Sequence, residues 1–377
     1  MHTEKAAQHG RWRALVWAGL VILVVAAGLG LASRQARANN IAPFQTVFAT
    51  DVVSAGYGGM RGDGTGTITL SGVSGTITQA LLYWHGPTES GDTAANESPT
   101  FAGSGITGTN IGLSDNNCWG FENSQAYRAD VTSLVTGDAA YALADFVGTD
   151  SLGNDVDING VSLIVFFDDG DDTNNRNVVI FDGNDSNVPG NPFDADGWNV
   201  TLPGINYDSG SASMELHVAD GQGSEDANLI LNGTTTLASG PDVFQGDTVP
   251  NLPSATGPNV GLWDIRSFDV TSSLTPGDNT LALTLDYIND CLSLIVVMVN
   301  LPAGAAPGQP PTDTPVAPQP TATFASSVAA AVTLPQTGAG AQGSGGPTGW
   351  LIAALLSSAA LAAAGYGALH LRPNGRP

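Results

Sequence analysis

Alternating apolar and polar residues predict β-strands throughout the chain between residues 39 and 301. The segment "TLALTLDYI" at 280–288 is typical, because four apolar side chains fall on one face: Leu281, Leu283, Leu285 and Tyr287. In "ASMELHVAD" at 212–220, the same alternation directs Glu215 and His217 away from the core. No long segment of this region has the period of a helix, so the pattern indicates an all-β fold.

Three continuous apolar runs predict central strands that are covered on both faces. They are "SLIVFF" at 162–167, "NVVIF" at 177–181 and "LSLIVVMV" at 292–299. Many short strands between Gly, Asn and Asp turns are typical of β-sandwiches, here with a jelly-roll-like topology.

Similar segments recur after a shift of 131 to 140 residues. "TITLSG" at 67–72 recurs as "NVTLPG" at 199–204, "ADVTSLVTGD" at 129–138 as "FDVTSSLTPGD" at 268–278, and "GVSLIVFF" at 160–167 as "CLSLIVVM" at 291–298. Repeats of this kind predict an internal duplication. The sequence therefore predicts two tandem sandwich domains, at 39–190 and 191–301.

The N-terminal segment 1–38 has the layout of a secretory signal. Basic residues precede an apolar run at 14–32, and Ala36 and Ala38 supply the small side chains that a signal peptidase requires. We expect cleavage after Ala38. The alternative is an uncleaved membrane anchor, because the apolar run is nearly long enough to span a bilayer.

The C-terminal part of the chain predicts a stalk followed by a membrane anchor. Residues 302–333 are rich in Pro, Ala and Thr, which is typical of a spacer. Residues 350–371 carry no charge and suit a transmembrane helix, and the tail at 372–377 carries Arg372 and Arg376, as expected on the cytoplasmic side.

The motif "LPQTG" lies between the stalk and the apolar helix. Its residues are Leu334, Pro335, Gln336, Thr337 and Gly338. Motif, spacer, helix and basic end together resemble the sorting signal of LPXTG-type cell-wall-anchored surface proteins. The resemblance implies that sortase cleaves between Thr337 and Gly338 and joins Thr337 to a peptidoglycan amine. It also implies a membrane-anchored precursor and a product at the cell wall.

Charge limits the classes of partner. Between residues 39 and 337 there are 34 acidic residues and four arginines, a formal charge of −30. Binding to nucleic acid is excluded as a function, because phosphate contacts require a basic surface. The only lysine of the chain, Lys5, lies in the signal segment.

Residues 155–160, "DVDING", match the first half of a calcium loop. Asp155, Asp157 and Asn159 would supply alternate oxygen ligands, although Phe166 stands where such a loop has its bidentate glutamate. The alternative is a hairpin with a tight turn at Asn159-Gly160. No cofactor is required, and Ca²⁺ is the one that the sequence suggests.

Other candidate residues allow two interpretations each. Cys118 and Cys291 either form a disulfide or are buried thiols. His85 and His217 occupy equivalent repeat positions, and we expect outward-facing strand residues that form no joint site. Four tryptophans belong either to the core or to a sugar-binding platform: Trp84, Trp119, Trp198 and Trp263.

Three runs resemble an uncharacterised family of prokaryotic extracellular β-domains: "YRADVTSLV", "GVSLIVFF" and "RNVVIFDG". That resemblance implies no catalytic residue, and the common GxSxG, HExxH and CxxC motifs are missing. The sequence thus predicts a non-enzymatic adhesion or binding protein whose ligand is an extracellular polysaccharide or a neighbouring surface. The alternatives are a structural coat or spacer protein and, third, a carboxylate-based glycan hydrolase.

Overall fold

The computed structural model describes residues 41–253 and 261–303 of the chain. Within these ranges the chain forms nineteen strands, which pair antiparallel, and two single-turn 3-10 helices, Thr132–Leu134 and Thr271–Ser273. The prediction of an all-β fold is confirmed. No helix in the part of the chain that the structure describes has the length and apolarity needed to cross a membrane.

The first half of the fold contains eleven strands. They are β1 (Ala42–Tyr57), β2 (Gly66–Leu70), β3 (Thr76–Thr88), β4 (Thr100–Phe101), β5 (Ser104–Gly105), β6 (Thr109–Ser114), β7 (Asn123–Asp130), β8 (Ala139–Ala144), β9 (Gly148–Thr149), β10 (Asp155–Val156) and β11 (Gly160–Asp168). The second half contains β12 (Arg176–Ser186), β13 (Trp198–Tyr207), β14 (Ser213–Ala219), β15 (Leu229–Leu231), β16 (Thr235–Ala238), β17 (Trp263–Asp269), β18 (Gly277–Leu285) and β19 (Ser293–Pro302).

One eleven-stranded sheet runs through both halves. Its order is β17-β14-β19-β12-β1-β11-β3-β10-β9, with β7 also paired to β3 and β6 to β7. The predicted domain boundary at 190/191 does not separate two sheets, because β12 pairs with β19. The halves meet at β1, whose residues 42–50 pair with β12 and whose residues 51–57 pair with β11. Ala49 adopts φ +48° where β1 changes partner.

Two four-stranded sheets cover one face of the large sheet. Their orders are β2-β8-β4-β5 in the first half and β13-β18-β15-β16 in the second. A separate apolar core lies under each small sheet, containing Leu82 and Trp84 in the first half and Leu216 and Val218 in the second. A third core lies on the opposite face of the large sheet and joins the halves, since it contains Tyr83 and Trp263.

The three continuous apolar runs form β11, β12 and β19, and their side chains are buried from one end to the other. Their prediction as central strands is confirmed. The alternating segment 212–220 forms β14, but His217 is fully buried, so its predicted outward orientation is wrong. Strand β14 lies between β17 and β19, and both faces of the sheet are covered there. Tyr287 was predicted to face inward, but it lies beyond the end of β18 and is exposed.

Candidate functional site

The topology brings the loops of both halves to one end of the molecule. Strands β3 and β6 end there, and β7, β11 and β19 begin there, as their registers show. The resulting loop face comprises residues 89–99, 115–122, 150–154, 187–197 and 286–292. At the opposite end, Pro302 pairs with Arg176, and the backbone N–H of Ala303 donates to the Asn175 carbonyl. The described chain therefore leaves the fold on the side away from the loop face.

A disulfide joins the two halves at the loop face. Cys118 lies in the β6–β7 loop and Cys291 directly before β19, with their Cα atoms 6.0 Å apart. The Asn117 amide supports this crosslink by donating to the Cys291 carbonyl at 3.2 Å and to Ser293 Oγ at 3.0 Å. The structure therefore shows these two cysteines as a disulfide and not as buried thiols.

Arg61, Trp119 and Asp220 form a second connection between the halves. The Arg61 guanidinium stacks on the Trp119 ring, 3.7 Å from its centroid, and donates to Asp220 Oδ1 at 2.9 Å. Trp119 Nε1 donates to Asp220 Oδ2 at 2.8 Å. Burial raises the pKa of the Asp220 carboxyl to about 7, against the opposing effects of the Arg61 charge and these hydrogen bonds. The indole is thus fixed in position by a buried ion pair.

His85 and Asn159 lie behind this triad. Arg61 donates to the Asn159 side-chain oxygen, and the Asn159 amide lies 3.3 Å from His85 Nδ1. His85 is fully buried, so its predicted outward orientation is wrong. Burial, together with the Arg61 charge, lowers the pKa of His85 to about 3, and the imidazole is neutral at pH 7. His217 instead contacts Glu215 at 3.1 Å, so the two histidines have separate partners.

The three predicted calcium ligands point to different partners. The Asp157 carboxylate accepts from the Gly62 and Ile158 backbone N–H groups, and the side chain of Asn159 contacts Arg61 and His85. Asp155 is exposed and pairs with β9 through its backbone. Across residues 41–253 and 261–303, no group of three or more His, Cys, Asp or Glu side chains is arranged to hold a metal ion.

The alternative prediction of a hairpin at Asn159-Gly160 is wrong. Val156 of β10 pairs with Thr88, and Gly160 of β11 pairs with His85. Both strands are antiparallel to β3, so they run in the same direction one after the other, and the chain does not reverse between them. Gly160 is required for a different reason: a Cβ there would lie 2.8 Å from Trp263 Cβ and 2.7 Å from the Tyr57 carbonyl oxygen.

The tryptophans divide between core and surface. Trp84, Trp198 and Trp263 are buried, whereas Trp119 is 37% exposed. Four other large apolar side chains are exposed on the loop face: Leu152, Phe193, Tyr287 and Ile288. Asn187 links two of these loops, since its side chain donates to the Asp290 carbonyl and accepts from the Leu292 N–H. The loop face therefore carries several exposed apolar groups, and hydrogen bonds link two of its loops.

The sequence did not reveal Arg61 and Asp220 as partners. They are 159 residues apart, and neither lies in a recognisable motif. The one available signal was the scarcity of arginine, because an arginine among so many acidic residues is expected to form an ion pair with one of them.

The sequence profile of one family, described as "Protein of unknown function (DUF3344)", matches residues 56–298. The chain belongs to the DUF3344 family. The matched range of this DUF3344 protein contains Arg61, Trp119, Asp220 and both cysteines, whereas the LPQTG motif lies outside it. No curated protein matches the sequence.

Some solved structures are distantly similar to the DUF3344 protein. Peptide-N(4)-(N-acetyl-β-D-glucosaminyl) asparagine amidase is 13% identical, with 70% of this chain and 96% of that chain covered and a TM-score of 0.25. PNGase F from Flavobacterium meningosepticum is 11% identical (69% and 97% covered, TM-score 0.21). A complex of the plant peptide RALF23 with FER and LLG2 is 11% identical (69% and 95% covered, TM-score 0.23). Scores this low support no argument about activity.

Four predicted segments lie outside the described residues: the signal with Ala36 and Ala38, the stalk beyond Ala303, the sorting motif at 334–338, and the helix and tail at 350–377. No described residue bears on these predictions.

Proposed function

We propose that this DUF3344 protein is a secreted, wall-anchored surface protein whose loop face binds a neutral extracellular polysaccharide. The observation that supports this proposal is the partly exposed Trp119 ring, held by Arg61 and Asp220 on the face opposite to the chain exit at Ala303. Sortase and a peptidoglycan amine are the partners in the proposed anchoring step.

A fixed aromatic ring suits carbohydrate binding. The apolar face of a sugar ring stacks on an indole, and a ring that is already immobilised loses little conformational entropy on binding. Arg61 and Asp220 supply this immobilisation through the stacking contact and the hydrogen bond to Nε1. Trp119 would therefore be the main contact residue, with Tyr287 as a second exposed aromatic on the same face.

The strong negative charge of the chain favours a neutral ligand over an anionic one. Residues 39–337 carry a formal charge of −30, and Arg61 is engaged with Asp220. An anionic polymer would be repelled, because no free basic patch is offered at the loop face among the residues that the structure describes. A neutral polysaccharide avoids this repulsion.

The repeats support a proposal about the origin of the fold. The two small sheets have the same topology: the first strand in the chain lies at one edge, the last strand lies beside it, and the two middle strands follow. The repeated segments 67–72 and 199–204 fall in β2 and β13, which are these edge strands. An internal duplication, followed by fusion of the large sheet at β1 and β12, would give this arrangement.

A glycan array tests the binding proposal. We expect the full-length protein to bind neutral glycans, and Trp119→Ala to reduce the affinity at least tenfold, because the stacking contact is lost. Phe48→Ala is the matched control, since Phe48 is a similarly exposed aromatic at the other end of the molecule. An array that is silent with wild-type protein, or equal losses in both variants, contradicts the proposal and favours the structural coat.

A further inference from the structure

Two buried carboxylates, Asp185 and Asp194, face each other beneath the loop face. Asp185 lies near the end of β12, after the bulge that begins at Asp182, and Asp194 lies in the following loop. Their residues are only 2% and 5% exposed, and their carboxyl groups are within hydrogen-bonding reach of each other.

Neither carboxylate has a cationic partner. Among the described side chains, the ion pairs involve Asp220, Asp182 and Glu215 instead. Asp194 Oδ1 accepts from the backbone N–H groups of Asp196 and Gly197. Asp185 Oδ1 and Asp194 Oδ2 are buried without a hydrogen-bond donor. Two acceptor oxygens therefore remain unsatisfied at the place where the carboxylates meet.

Two adjacent buried carboxylates need compensation. Removing a carboxylate from water costs several kcal/mol when no partner compensates it, and a second carboxylate in contact increases that cost. Either a shared proton or a bound cation can satisfy the pair.

The chemistry of the donors favours a hard cation. The two unsatisfied atoms are carboxylate oxygens, which are hard ligands. Ca²⁺ accepts six to eight such ligands in irregular geometry and retains water in some positions, whereas Mg²⁺ demands a regular octahedron. A site with two protein carboxylates suits the weak calcium sites of extracellular modules.

We propose that Asp185 and Asp194 form a calcium site that fixes the loop 187–197 to the end of β12. The site is distinct from the predicted ligands Asp155, Asp157 and Asn159. It is also independent of the polysaccharide proposal, because it requires no ligand at Trp119. Calcium would hold Phe193 in place on the loop face by stabilising the turn that Asp194 forms with Gly197.

Thermal unfolding and calorimetry of the full-length protein test the site. With millimolar Ca²⁺ in place of EDTA at pH 7.5, we expect the Tm to rise by about 5 °C and calcium to bind with measurable heat. Asp185→Asn and Asp194→Asn should each abolish this shift. In EDTA, Asp185→Asn should be about as stable as the wild type, because the Asn amide can donate to Asp194 in place of the proton that the two carboxyl groups share, so loss of the shift is distinguishable from misfolding.

Asp155→Asn is the control variant, because Asp155 is exposed in the other candidate loop, and it should retain the full shift. An unchanged wild-type Tm with no heat of binding would mean that the carboxylates share a proton only, which overturns the proposal. A shift that persists in both Asn variants would place the cation elsewhere and overturn it as well.

Discussion

At the scale of single residues, the buried ionisable groups near the loop face determine how stability depends on pH. Burial raises the pKa of Asp226 to about 6, of Asp220 to about 7 and of Asp290 to about 8. A carboxyl whose pKa is higher in the folded state binds more protons than in the unfolded chain. The stability that these groups contribute is therefore present at acidic pH and declines between about pH 4 and pH 8. His85, with its lowered pKa, acts in the opposite direction between pH 6.5 and 3.

Arg61→Gln provides a pH-dependent prediction for the triad. At pH 8 the wild-type Asp220 is charged and paired with Arg61, whereas the variant must either bury an unpaired carboxylate or take up a proton, so we expect a loss of about 3 kcal/mol in the free energy of unfolding. At pH 5 Asp220 is protonated, so the loss should be about half as large or smaller. Urea unfolding at pH 5 and pH 8 measures these losses. The double variant Arg61→Gln/Asp220→Asn should show the same loss of stability at both pH values. Equal losses at pH 5 and pH 8 in the single variant would contradict the account.

At the scale of strands and loops, the sequence predicted the core well and the contacts between halves poorly. The runs at 162–167 and 292–299 identified central strands because continuous β-branched residues require cover on both faces. The burial of His217 escaped prediction because alternation identifies one apolar face and cannot show that a second layer covers the other. The Arg61–Asp220 pair joins segments that are distant in sequence, and only the tertiary fold brings them together.

Gly160→Ala tests the close packing of β11 against β17. The added methyl group would meet the Tyr57 carbonyl and the Trp263 side chain, so we expect a destabilisation of about 1–3 kcal/mol. Gly91→Ala is the control, since a Cβ at Gly91 has no neighbour within 4 Å, and it should change stability by less than about 0.5 kcal/mol. Denaturant unfolding of both variants gives the comparison, and a neutral Gly160→Ala would show that the two halves pack less tightly than described.

At the scale of the whole molecule, the two halves share one sheet, and a disulfide and a buried ion pair connect them at the loop face. In the chain-entropy estimate, a crosslink between residues 173 apart stabilises the fold by up to about 5 kcal/mol. The large sheet and these connections join the two halves at the loop face, and the described chain leaves the fold at the opposite end.

Thr337→Ala tests the proposed anchoring. Sortase requires the Thr-Gly bond, so we expect the variant to be extractable from cells by detergent, whereas the wild type is released only when peptidoglycan is digested. Gln336→Ala is the matched control, because Gln336 occupies the third, variable position of the LPXTG pattern, and this variant should remain attached. Covalent attachment of the Thr337 variant would contradict wall anchoring by sortase while leaving the binding proposal intact.

The most direct test of the central claim is hydroxyl-radical footprinting of the tryptophans, with and without the neutral glycan that binds best on the array. Without glycan, Trp119 should be modified much faster than Trp84, Trp198 and Trp263, which are buried. With glycan, modification of Trp119 should fall severalfold while that of Phe48, at the opposite end, stays constant. Unchanged modification of Trp119 with glycan bound would contradict the assignment of the loop face as the binding site.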